Sequence, residues 1–336
     1  MYKCSAEQYE VLYHEAGSME ARERIGLSQV AAQRTQTTKA GEMLYVRSFP
    51  IWNTRAESGR ARAAKPTQEA QRKLNQRRRR LYFEQLAHAN FSRGDYFLTL
   101  TYTPTPRKDK RLTDEYWANE PMDMQEAHRS LMEYLRKLRA RIRRRGGEEL
   151  KYLGVTEETW SRHVDAYDDH PRYHHHLLIS RSGMTRDEVE QLWKDMGHAE
   201  GRTNCRILQP DKEGIAALCA YLTKMEKGRG KREGGLACYS HSYTASRNLV
   251  KPITSSADRK LSRRRVARVA MDVMRDGVEI FRALYPGYEP TEPPQVFISD
   301  WVAGAYIYCR LRRREGQGPE LLPTALRAAA SLKREA

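Results

Sequence analysis

The sequence predicts an α+β fold, and three observations predict it. Residues 96–102 read Tyr-Phe-Leu-Thr-Leu-Thr-Tyr, aromatic and alternating with a period of two, as a half-buried strand does. Two further strand-like stretches, 150–159 and 172–180, are joined by a connection too short for a crossover helix, so they pair antiparallel. Residues 123–145 instead repeat their apolar positions at helical spacing: Met124, Ala127, Leu131, Tyr134, Leu135, Leu138 and Ile142.

Length and charge bound what such a chain does. Its 336 residues suffice for one large domain or two ordinary ones. With 60 Lys and Arg against 43 Asp and Glu the net charge is +17, which points to a polyanionic partner, nucleic acid first. No apolar run approaches a membrane span and no basic-then-apolar segment opens the chain, so membrane partners are excluded and a cytoplasmic location is expected. The five cysteines include no C-x-x-C pair, which argues against a zinc cluster and a disulfide framework.

Taken in order, residues 1–66 form an N-terminal extension of unclear role, with a helix expected over 18–36, a short strand over 41–47 and a basic linker at 60–65. A helix follows from Thr67, its cap, carrying Arg77-Arg78-Arg79-Arg80 before turning apolar at Leu81, Tyr82, Phe83 and Leu86. Four successive arginines cover more than one helix face, so they are read as phosphate contacts. After a turn at 90–95 comes the 96–102 strand, with Phe97, Thr99 and Thr101 on one face. A basic loop at 104–121 leads to the 123–145 helix, which Gly146-Gly147 ends. In the 150–159 strand, Leu153, Val155 and Glu157 share a face and Glu158 takes the other. Thr185 caps a helix to Met196, residues 203–208 form a strand, and a helix runs from 210 with Ile215, Leu218, Cys219, Leu222 and Met225 as its stripe. Beyond a Gly- and Lys-rich stretch and a strand at 236–240, residues 256–336 read as a basic helical C-terminal region, with helices at 259–270, 269–284 and 301–314.

The chemistry concentrates in Arg172-Tyr173-His174-His175-His176-Leu177-Leu178-Ile179-Ser180. Alternation puts His174 and His176 on one side of this strand and His175 on the other, and two neutral imidazoles so placed reach one divalent cation. A carboxylate from the neighbouring strand supplies a third donor; Glu157 is preferred to Glu158, although parity alone does not register the two strands. On the 210 helix Tyr221 and Lys224, three apart, are neighbours at one edge of the apolar stripe. Taken alone, each of these features is also what ordinary packing leaves behind.

In this order, Asn90 with the hydroxyl-bearing strand at 97–102, Tyr152 to Glu157, His174 to Leu178 and Tyr221-Leu222-Thr223-Lys224 resemble the motifs of the HUH endonucleases, and within them the rolling-circle replication initiators of bacterial phages and plasmids. Supporting stretches are 193–197 and 246–249 with Pro252, so the resemblance spans about 67–255. The middle residue, usually apolar, is His175, and Ala217 stands where a second tyrosine would be, so the likeness is to a single-tyrosine enzyme. The resemblance implies an antiparallel sheet with helices on its faces and a Mg2+ or Mn2+ ion on His174, His176 and Glu157. It implies Tyr221 as the nucleophile that cuts single-stranded or hairpin origin DNA through a 5′-phosphotyrosyl link, with Lys224 easing ionisation of the phenol. The freed 3′ hydroxyl would prime a DNA polymerase. No G-x-x-x-x-G-K-[ST] stretch occurs, so a host helicase is expected to part the strands. A relaxase or transposase of the same chemistry, or a non-catalytic nucleic-acid-binding module, are the alternatives.

Overall fold

The computed structural model describes residues 30–52, 68–102, 121, 123–159, 172–198, 202–224, 243–298 and 305–314. In chain order these form β1 (Val30–Ala40), β2 (Met43–Trp52), α1 (Gln68–Asn90), β3 (Tyr96–Thr101), α2 (Met124–Arg144), β4 (Tyr152–Thr159), β5 (Arg172–Ile179), α3 (Arg186–Trp193), β6 (Thr203–Ile207) and α4 (Ala216–Lys224). They continue as β7 (Thr244–Ala245), β8 (Ile253–Asp258), α5 (Arg263–Met271), α6 (Val278–Leu284), β9 (Tyr288–Pro290), β10 (Gln295–Ile298) and β11 (Ala305–Arg313). The chain divides into two units, one of residues 65–254 with 39–41, the other of the remaining N- and C-terminal segments.

The first unit is built on a five-stranded antiparallel sheet in the order β6-β3-β5-β4-β7. Period-two alternation along its strands sends Tyr96, Leu98, Leu100, Tyr152, Leu177 and Ile179 to one face. There they pack with Leu131, Tyr134, Leu135, Leu138 and Ile142 of α2 and Val189, Leu192 and Trp193 of α3. Asp123 caps α2 through the Glu126 amide, and Thr185 and Glu188 form a reciprocal capping box on α3, so both helices begin where their sequences signal. The opposite face buries Leu153, Val155 and Leu178 beneath Phe83, Leu86 and Ala87 of α1 and Cys219 and Leu222 of α4. At Gly154 an added Cβ would fall 2.3 Å from the His176 carbonyl oxygen, so the close approach of β4 to β5 requires glycine.

The other unit carries a six-stranded sheet in the order β10-β11-β2-β1-β8, with β9 also paired to β11. Leu44 and Val46 of β2 and Ile307, Cys309 and Leu311 of β11 face Val266 and Val269 of α5 and Ile280 and Phe281 of α6. Two expectations are overturned here. The helix expected over 18–36 is a strand from Val30 onward, paired with its sequence neighbour β2 through the turn at Gly41, whose φ of +58° suits glycine. The helix expected over 301–314 is the strand β11 from Ala305, whose buried residues alternate strictly, and cross-strand pairing with β2 decides it. The helix expected over 269–284 is interrupted at Asp272, whose side chain accepts from the Arg275 amide and starts a new turn. The expected Thr67 cap, the 60–65 linker, the 104–120 basic loop and the 236–240 strand lie outside the described residues.

Candidate functional site

The β-ladder sets the site. On β5, His176 lies between Thr99 of β3 and Val155 of β4, and His174 lies between Thr101 and Glu157. All six point to the α1 and α4 face, which is apolar at one end and polar at this one. His176 is almost enclosed: its ring stacks on Phe97, with centroids 6.0 Å apart and planes 10° off parallel. Its Nδ1 is 3.1 Å from Thr99 Oγ1, and its Nε2 is 3.4 Å from Glu157 Oε2.

That separation is close enough for an ion pair, but burial opposes it. Desolvation, followed by the neighbouring His174, lowers the His176 pKa to about 4, and desolvation raises that of Glu157. At neutral pH the imidazole is therefore uncharged, with one nitrogen available as an acceptor or ligand and the other as a donor. Thr99 can serve either tautomer. When its oxygen accepts from Nδ1–H, the Nε2 lone pair faces Glu157 and is free to bind a cation.

His175 has a different fate. Its side chain crosses to the α2 and α3 face, where it is wholly buried between Tyr102 and Thr156. Tyr102 Oη lies 2.8 Å from Nε2 and Thr156 Oγ1 2.9 Å from Nδ1, so both ring nitrogens are satisfied. The central histidine is a structural residue of the core.

Tyr221 arrives from α4. Ile215, Cys219 and Leu222 bury that helix against the sheet, leaving Tyr221 half exposed. Its ring meets His176 edge-on, with centroids 6.1 Å apart and planes at 79°. The approach to α4 is fixed from α1: His88 Nε2 accepts the Ile215 amide at 2.9 Å. At Gly214, with φ of +72°, a Cβ would sit 2.4 Å from that same nitrogen, so this approach also demands glycine. Lys224 ends α4, but its side chain lies outside the described residues.

The structure thus brings together Glu157, His176 and Tyr221 and places His174 beside them on the same face. It does not gather three metal-binding side chains: among the described residues no three His, Cys, Asp or Glu groups are close enough to hold an ion. Glu158 pairs with Tyr173 in the ladder and points to the other face, so parity and register both favour Glu157.

Three positioning residues escaped the sequence reading. Thr99 was legible as a hydroxyl on the right face, but its histidine partner was not. His88 looked like one more residue of a helix. Asn90, singled out only by resemblance, uses its amide to accept from Val250 N and donate to Val250 O, both at 2.8 Å, pinning the segment after β7 to the end of α1.

Residues 95–226 match a family model of replication-associated proteins, the ORF2 type. The match runs from the start of β3 past the end of α4 and so includes His174, His176, Glu157, Tyr221 and Lys224. No curated protein and no solved structure matches the chain. No helix among the described residues is long and apolar enough to cross a membrane.

Proposed function

We propose that this replication-related chain is a single-strand DNA nickase and ligase that initiates rolling-circle replication, with Tyr221 as its nucleophile. The observation that carries the reading is the meeting of Tyr221 with His176 and Glu157 at the polar end of one sheet face, inside the stretch that matches replication-associated proteins.

The phenolic oxygen of Tyr221 bonds to phosphorus, the bond from phosphorus to the 3′ oxygen breaks, and the phenolic proton ends on the released 3′ hydroxyl. One phosphodiester replaces another, so the step is reversible without ATP, and reversal rejoins the strand. Tyr221 suits this because half of its surface is open while its helix is held at His88 and in the core. Phe97 and Thr99 fix the His176 ring, and burial keeps that ring neutral. A tyrosine seated on a sheet reaches only an unpaired or extruded strand, so single-stranded or hairpin origin DNA is the substrate. A host helicase would supply that strand and a DNA polymerase extend the 3′ end.

The side chains present fit a divalent cation. An oxygen and a nitrogen 3.4 Å apart can share one ion at about 2.2 Å from each. Glu157 and His176 would hold Mg2+ or Mn2+, with His174, opposite Glu157 in the ladder, as the third donor. Such an ion would neutralise charge on the non-bridging phosphate oxygens. Lys224, one turn beyond Tyr221, is assigned to the developing phenolate or the phosphate.

The test uses the full chain with Mn2+ and labelled single-stranded oligonucleotides tiling the DNA around its own reading frame. A denaturant-stable protein-DNA adduct is expected, absent in Tyr221→Phe. Binding that disappears with salt and never yields an adduct would overturn the nickase and leave a nucleic-acid-binding module. A relaxase or transposase would form the adduct but transfer the strand to a different acceptor.

A further inference from the structure

At the β7 edge of the five-stranded sheet, α2 and the segment after β7 enclose a cavity of about 800 Å³. Arg139, Arg143 and Arg247 line it, with His128 also on its wall, against a single acid, Glu149. The contrast lies on α2 itself. Elsewhere on that helix cations are paired: Arg141 with Asp195 at 3.1 Å, Lys137 with Glu133 at 3.1 Å, and Arg145, just past its end, with Glu188. Among the described residues, none of the three cavity arginines has a carboxylate within ion-pair distance.

Two polar atoms at this place are also left over. The Arg139 guanidinium lies over the Tyr152 ring, 5.0 Å from its centroid, and its buried Nε has no hydrogen-bond partner. Asn248 donates to the Leu150 carbonyl, while its buried Oδ1 has no partner. A shielded donor without an acceptor costs about 1–3 kcal/mol, so an anionic guest with donors of its own would relieve both. The volume lies in the range of sites that take a nucleotide-sized ligand. Forked guanidinium groups match a phosphate, and Tyr243 on the wall offers a ring to an unpaired base.

We infer that this cavity is a second docking groove for single-stranded DNA, gripping the phosphodiester backbone away from the point of cleavage. Tyr152 starts β4 and Glu157 lies five residues further on, so about 17 Å of strand separates groove and carboxylate. The groove holds the strand upstream or downstream of the scissile phosphate, and base identity matters little to it. The choice of DNA as the guest rests on the nickase reading above. Occupancy of the groove does not, because binding is measured without cleavage.

Fluorescence anisotropy with a labelled oligothymidylate of roughly 16 nucleotides, read across a salt series, decides the matter. Arg143→Ala with Arg247→Ala is expected to raise Kd about tenfold and to reduce the slope of log K against log salt by about 1.4, the share of two phosphates on a single strand. The control removes the same charge from another part of α2, as Arg136→Ala with Arg144→Ala, and changes Kd by about twofold or less. Arg139→Lys, which keeps the charge but loses the fork over Tyr152, falls between. Equal losses in the two double variants, an unchanged slope in the first, or no binding by the wild-type protein overturns the groove. If the wild-type chain forms no covalent adduct, the nickase fails, yet the anisotropy comparison still stands. If the adduct persists at saturating oligonucleotide in Arg143→Ala with Arg247→Ala, groove and cleavage site are separable.

Discussion

On one face of the five-stranded sheet His175 is sealed between Tyr102 and Thr156, with both nitrogens bonded and no exposed surface. On the other face His176, the next residue, has Thr99 at one nitrogen and Glu157 at the other, with the half-exposed Tyr221 at its edge. Burial drives both imidazoles to the neutral form, to a pKa of about 3 for His175 and about 4 for His176, so protonation state does not tell them apart. What differs is where the second nitrogen leads. A ring satisfied on both sides by uncharged neighbours serves the core; a ring whose free end meets a carboxylate and a phenol at an opening is placed to do chemistry.

The sharpest way to break this comparison is to truncate each ring in turn. His176→Ala is expected to lower adduct formation by about a thousandfold while unfolding stability changes by about 1 kcal/mol or less. His175→Ala should do the reverse, costing about 2–3 kcal/mol in urea unfolding because Tyr102 and Thr156 lose buried partners. If both variants lose activity only in proportion to lost stability, the two faces do not differ in role.

A smaller effect is expected at Thr99. Thr99→Val keeps the shape and removes the hydroxyl that selects the His176 tautomer, so Mn2+ affinity in a titration should weaken about tenfold with the fold intact. Thr156→Val, the matched change beside His175, should leave Mn2+ affinity unchanged.

The smallest effect is on stability against pH. Both histidines bind protons more weakly folded than unfolded, so from about pH 6.5 down to about pH 3–4 the unfolded chain holds more protons and stability falls as pH falls. Glu157, raised by burial, acts in the opposite sense, losing stability as pH rises past 4.5, and partly offsets the slope at the acid end. Denaturant midpoints between pH 7 and pH 4 should therefore drop, and His175→Gln should flatten the drop more than His176→Gln.

Some of this organisation was written along the chain. Alternation in β3 and β5 placed Thr99 and Thr101 on one face and His174 and His176 on one face, and parity set Glu157 apart from Glu158. The caps at Asp123 and Thr185 and the stripe of α2 were likewise local signals, and they start helices where read. β1 and β11 escaped that reading for a common reason. Val30–Ala40 is rich in Gln and Thr, with little apolar contrast, and Ala305–Arg313 alternates short apolar residues with Tyr and Arg; long-range pairing decides both.

What the sequence determined by itself was periodicity: which residues share a strand face or a helix stripe, because side-chain direction follows from backbone geometry within a few residues. Only the tertiary structure decided register and convergence. It set Glu157 opposite His174 yet within reach of His176, sent His175 into the core, and held α4 through His88 so that Tyr221 meets an imidazole 45 residues away in the chain. Those contacts depend on how sheet and helices pack at distances that no local pattern encodes, and the chemistry assigned to this face rests on them.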